Sequence, residues 1–130
     1  PFLESVRAEA YRDRFEQLGL TEVRIDAVGN VIGVRAGKQR RPNLVMSAHL
    51  DTVFPQETDV SGVREGTILK GPGIGDDCRG LAVLLGIARA LDKADLTTTG
   101  TITFVGTVGE EGLGEYTCRQ YHKSCSLSVY

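Results

Sequence analysis

Three short clusters of side chains able to bind a cation or move a proton punctuate this sequence: Ala48-His49-Leu50-Asp51-Thr52, Gly73-Ile74-Gly75-Asp76-Asp77 and Gly109-Glu110-Glu111-Gly112. His49 and Asp51 stand two positions apart, so on an extended backbone they share a face and can converge on one point or support each other. A neutral imidazole is the commonest metal ligand, and a carboxylate on its second nitrogen fixes the tautomer. Taken alone, such a pair is more often a satisfied structural histidine than a ligand. Asp76 follows a run of glycines that permits close backbone approach, and a carboxylate delivered there has two oxygens able to bridge two cations. Asp77 is open between a ligand and the cap of the helix that follows. Adjacent glutamates such as Glu110 and Glu111 repel each other and lose solvation unless cations or exposure relieve them. Because consecutive side chains diverge, one of the two can hold metal while its neighbour faces a water. Histidine and carboxylate together suit zinc, cobalt or manganese.

The elements that must carry these clusters can be read from periodicity. Glu4 to Leu18 places Val6, Ala10, Phe15 and Leu18 near helical spacing among charged residues, and Gly19 ends the run. Thr21 to Ile25 and Val31 to Arg35 are β-branched segments around Asp26-Ala27-Val28-Gly29-Asn30, the pattern of a hairpin or bulged strand pair. Asn43 to Ala48 is short and mostly apolar, as a buried central strand would be, and Thr67 to Lys70 reads as a short strand after a polar stretch broken by Pro55 and Gly62. Leu81 to Leu91 is apolar on nearly every side, so it is expected to be a helix covered from most directions, with Gly80 and Gly86 tolerated where a strand packs closely. Thr101 to Val108 is a further central strand. This order is that of a layered α/β domain, and the three clusters fall at strand ends and at the start of the apolar helix, where such sheets bind ligands.

Composition narrows the class. Fifteen basic and seventeen acidic residues leave a formal charge of -2, and the lone basic run, Lys38-Gln39-Arg40-Arg41, is better read as a solvated loop than as a nucleic-acid or membrane footprint. No apolar stretch approaches the roughly 18 residues of a membrane span. Cys78, Cys118 and Cys125 are odd in number and irregular in spacing, which argues against a disulfide framework and for a reducing, cytoplasmic setting. From residue 116 to 130 neither strand nor helix period persists, and this segment is expected to be an atypical tail, not native continuation of a domain over residues 1–115. Cys118, His122 and Cys125 lack the paired spacing of zinc folds and are not expected to form a site of their own.

The stretches Ser47-Ala48-His49-Leu50-Asp51-Thr52-Val53, Gly71-Pro72-Gly73-Ile74-Gly75-Asp76-Asp77 and Gly109-Glu110-Glu111-Gly112 resemble the motifs of a co-catalytic zinc peptidase family. That family includes acetylornithine deacetylase, succinyl-diaminopimelate desuccinylase, aminoacylase, tripeptidase and the glutamate carboxypeptidases, and the similarity runs from Pro1 to Gly114. The resemblance implies the N-terminal portion of a three-layer α/β/α catalytic domain with two zinc ions, cobalt or manganese being possible substitutes. It implies that His49 binds one zinc, Asp76 bridges both, Glu111 binds the other, Asp51 orients His49 and Glu110 is the general base, with a cis bond between Asp76 and Asp77. The implied substrates are short peptides or N-acyl amino acids, cleaved at an amide bond.

The pattern departs from the family in three respects. A later carboxylate ligand, a histidine near the end of the catalytic domain, and a lid domain through which the parent would form a homodimer have no counterpart here, and His122 lies too close to Glu111 to serve. The expectation is therefore a fragment of a hydrolase that is not itself expected to turn over substrate. Two alternatives remain: a related di-zinc aminopeptidase, and a non-catalytic metal-binding module.

Overall fold

A computed structural model of the protein describes residues 4–111. In chain order the elements are α1 (Ser5–Gln17), β1 (Thr21–Ile25), β2 (Val31–Arg35), β3 (Asn43–His49), β4 (Val63–Glu65), β5 (Ile68–Lys70), α2 (Arg79–Lys93) and β6 (Thr101–Thr107), with a tight π-type turn over Ile74–Cys78 leading into α2. Four strands form one sheet in the order β1-β2-β6-β3, and β4 and β5 form a separate hairpin. β1 and β2 pair antiparallel with an irregularity between Thr21 and Arg24, β2 and β6 pair antiparallel, and β3 and β6 pair in parallel. The mixed α/β architecture read from the sequence is the one these residues form.

The core lies between the two helices and one face of this sheet. Ala8, Tyr11 and Phe15 of α1 and Leu81, Leu84 and Ala88 of α2 join Val31, Ala48, Leu50, Ile102 and Phe104 in a single cluster. Phe15 meets Phe104 edge-on with ring centroids 6.3 Å apart. The Tyr11 hydroxyl donates to the Leu81 carbonyl at 2.9 Å, which locks the two helices side by side.

Five expectations are corrected by this arrangement. The buried stripe of α1 is Ala8, Tyr11 and Phe15, while Val6 is 77 % exposed, because the sheet meets the helix on its tyrosine face. Among the described residues β3 is an edge strand and β6 the central one, since β3 pairs on one side alone. α2 is covered along one stripe and leaves Val83 exposed, so its apolar character exceeds what its described neighbours bury. The glycines of α2 do not admit a strand: nothing approaches Gly86, and Gly80 faces the carboxylate of Asp77. The polar stretch after Asp51 also holds a strand, β4, which pairs with β5. Residues 116–130, with Cys118, His122 and Cys125, lie outside the described residues.

Candidate metal centre

The parallel register of β3 and β6 builds the site. His49 stands opposite Thr107 at the last rung, and the next residue, Leu50, donates its N–H to the Thr107 carbonyl at 2.6 Å. Both strands therefore end at the same edge, where the Asp51 and Glu110-Glu111 segments emerge side by side. Gly109 has φ of +74°, a conformation glycine adopts without Cβ strain, and it turns the chain so that both glutamates follow directly. A buried amide upstream holds this turn: the Asn30 side-chain oxygen accepts the Val108 N–H at 2.9 Å. Asn30 is in turn gripped by Asp26, whose carboxylate accepts the main-chain N–H groups of Val28, Gly29 and Asn30 and the Asn30 side-chain amide. Sequence patterning marks Asp26 to Asn30 as a turn but gives no sign that Asn30 reaches the site.

Arg7 of α1 braces the other two segments. One guanidinium nitrogen donates to the Leu50 carbonyl at 2.6 Å and another to the Cys78 sulfur at 2.8 Å, so a helix from the start of the chain links the exit of β3 to the turn bearing Asp76. Nothing in the spacing of the sequence singles out Arg7.

These supports bring His49, Asp76 and Glu111 together, with one donor atom from each within 4.8 Å of the others. His49 Nε2 lies 2.8 Å from Asp76 Oδ1 and 3.9 Å from Glu110 Oε2. Its Nδ1 lies 3.0 Å from the main-chain carbonyl of Asp51 and 3.7 Å from that residue's Oδ1, so the carbonyl, not the carboxylate, is at hydrogen-bonding distance. Asp51 is fully buried; its Oδ2 accepts the Glu111 N–H at 2.8 Å, and its Oδ1 has no partner. Asp76 and Glu110 are largely open to solvent, with side chains 79 % and 54 % exposed. The peptide bond between Asp76 and Asp77 is cis.

The imidazole is the electrostatic centre of this group. Burial disfavours its charged form, but the Asp76 carboxylate, the Asp51 carbonyl and the negative charges of Glu110 and Asp51 outweigh that penalty and raise its pKa above the ordinary histidine value. Both ring nitrogens face groups that can only accept, so both are best satisfied when both carry hydrogen. A cation at Nε2 answers the same demand in place of the proton. One imidazole, two carboxylates and a buried, unpartnered carboxylate oxygen behind them fit a divalent metal by the chemistry of their donors.

An α/β domain with a histidine–carboxylate cluster at the shared end of two parallel strands is suited to metal-assisted hydrolysis. The chain belongs to peptidase family M28, whose family model matches residues 30–125. It is 32 % identical over 108 residues to carboxypeptidase G2 of Pseudomonas sp. strain RS-16, an alignment covering 74 % of this chain and 25 % of that protein. Among solved structures it resembles the aminopeptidase PepT of Bacillus cereus (TM-score 0.67, 26 % identity, 80 % of this chain and 31 % of that one). A tripeptidase of Staphylococcus aureus is similar to the same degree (TM-score 0.66, 27 % identity, 79 % and 30 %). The chain thus spans between a quarter and a third of these relatives, and its kinship with peptidases accords with the resemblance carried by the motifs.

Proposed function

We propose that this chain carries the N-terminal part of a metal-dependent amide hydrolase centre, whose complete protein cleaves short peptides or N-acyl amino acids. The observation that supports this most directly is the convergence of His49, Asp76 and Glu111 donors within 4.8 Å, on segments far apart in sequence. In this reading His49, Asp76 and Glu111 would hold the metal, Asp76 being the ligand that two ions would share, and the donor set would suit zinc, with cobalt or manganese as substitutes. When bound, such an ion supplies Lewis acidity toward water and toward the amide carbonyl. Glu110, solvent-facing and beside the ligands, is the general base: it takes the proton of the attacking water and delivers it to the leaving amine. Asp51 holds the His49 ring through its main-chain carbonyl, which leaves Nε2 to face the metal. The setting is cytoplasmic, and the complete protein is a homodimer through a domain beyond this chain.

Metal analysis of the purified chain, then assay of dipeptides and N-acyl amino acids with added zinc or cobalt on the complete protein, tests the proposal. Metal retained by the native protein and lost on His49→Ala supports it; a native protein that takes up no divalent metal refutes it. The similarity to the aminopeptidase PepT favours a second reading, an aminopeptidase. Release of a free N-terminal residue from a peptide with a blocked C-terminus would select that reading over cleavage next to a free carboxylate.

A further inference from the structure

Asp77 has no part in the reading above, yet its carboxylate is committed in two directions. Oδ2 accepts the main-chain N–H of His49 at 3.1 Å, and Oδ1 accepts the N–H of Gly80, in the first turn of α2, at 2.9 Å. The Gly80 N–H is one of the donors that a helix start leaves without an internal partner. The His49 N–H is a donor of edge strand β3 that finds its acceptor in Asp77. One carboxylate therefore joins the end of β3 to the beginning of α2.

The join closes a small ring around the ligands. Asp77 is bonded covalently to Asp76, Asp76 Oδ1 lies 2.8 Å from His49 Nε2, and the His49 backbone returns to Asp77. Gly80 is what admits the carboxylate: a Cβ at that position would fall 2.2 Å from Asp77 Oδ1 and 2.5 Å from Oδ2. Any larger residue would displace Asp77 from both of its partners.

We propose that Asp77 is a positioning residue that pins the backbone of His49 to the start of α2, and so sets the spacing of the His49 and Asp76 donors, with Gly80 as the gap that seats it. The inference rests on the reading of His49 and Asp76 as metal ligands. Asparagine at 77 offers one acceptor oxygen for two donors, and alanine at 80 evicts the carboxylate, so Asp77→Asn and Gly80→Ala attack the same join from its two ends.

The test uses amide hydrogen exchange of the metal-free chain together with the visible spectrum and affinity of bound cobalt. In the native chain the His49 and Gly80 amides are expected to be protected, and in both variants their exchange should quicken about tenfold, the equivalent of one ordinary hydrogen bond. Cobalt affinity should fall by roughly 10- to 100-fold, as for other groups that orient ligands, and the cobalt spectrum should change shape. Ile102→Val, a core change at the start of β6, should lower the melting temperature and leave the spectrum unaltered. Unchanged exchange at both amides would overturn the proposal. Faster exchange with an unaltered cobalt spectrum would also overturn it, reducing Asp77 to a structural cap. A native chain that binds no cobalt would instead overturn the metal reading, and with it any metal role for Asp77.

Discussion

Asp51 accepts the main-chain N–H of Glu111 at 2.8 Å through Oδ2, while its main-chain carbonyl lies 3.0 Å from Nδ1 of His49. A single buried residue thus fixes one candidate ligand by its ring and another by its backbone. The cost of this arrangement is visible in Oδ1, which is buried without a hydrogen-bond partner.

Asp51→Asn should therefore have opposite effects on stability and on metal binding. The amide keeps an acceptor for the Glu111 N–H and removes a buried charge with one unpaired oxygen, so the metal-free chain should gain about 1 kcal/mol. Metal affinity should fall by roughly 10- to 100-fold. Thermal melting of the metal-free chain, paired with zinc titration, measures both, and a variant that loses stability without metal contradicts the account.

Metal uptake should displace a proton from His49. Its pKa is raised in the metal-free fold, so the stability it contributes there is present below the unfolded value of about 6.5 and is lost as pH rises through the folded value. Metal has the opposite preference, because it requires the neutral ring. Zinc affinity should thus weaken as pH falls through that raised value, and calorimetric titration near pH 6.5 in buffers of different ionisation enthalpy should reveal proton release. Titrations that show no dependence on the buffer would remove His49 as a ligand.

Tyr11 gives an alkaline counterpart away from the ligands. Burial, followed by the negative charge of Asp77, pushes its pKa well above the ordinary tyrosine range. The folded state keeps the hydroxyl proton that the unfolded chain releases near pH 10, so stability should decline as pH rises beyond about 10. Tyr11→Phe loses the hydrogen bond to the Leu81 carbonyl, at about 1 kcal/mol, but should melt with a flatter alkaline profile. Chemical denaturation of both proteins from pH 8 to 11 is the measurement.

Asn30→Ala should destabilise the fold by about 1 to 3 kcal/mol, because the Val108 N–H loses its acceptor and the Asp26 carboxylate loses the side-chain amide. The damage should reach the site, since Val108 immediately precedes the Gly109 turn. Denaturant unfolding gives the first effect; amide exchange at Val108 gives the second.

Much of this architecture was legible because it is local. The β-branched runs of β1 and β2 have the bounds their composition marks, β6 ends one residue earlier than expected, at Thr107, and the motifs around His49, Asp76 and Glu111 announce themselves by residue type. What escaped were relations between distant segments. Arg7 lies 43 residues from Leu50 and 71 from Cys78, and no periodicity connects them. Asp77 could be read as a helix cap from its place before α2, and it does accept the Gly80 N–H, but its bond to His49 depends on where β3 ends in space. The edge position of β3 escaped for a similar reason, since an apolar strand reads the same with one neighbour as with two.

The parallel pairing of β3 with β6 has a kinetic consequence. Strands running the same way cannot be joined by a tight turn, so everything from Leu50 to Gly100 must be looped out and folded back before His49 can stand opposite Thr107. The entropy of closing that long loop is lost before any contact at the site is gained. The cluster is therefore expected to assemble late, and an ion seated there would act as a clasp, deepening the folded state in proportion to the logarithm of its concentration.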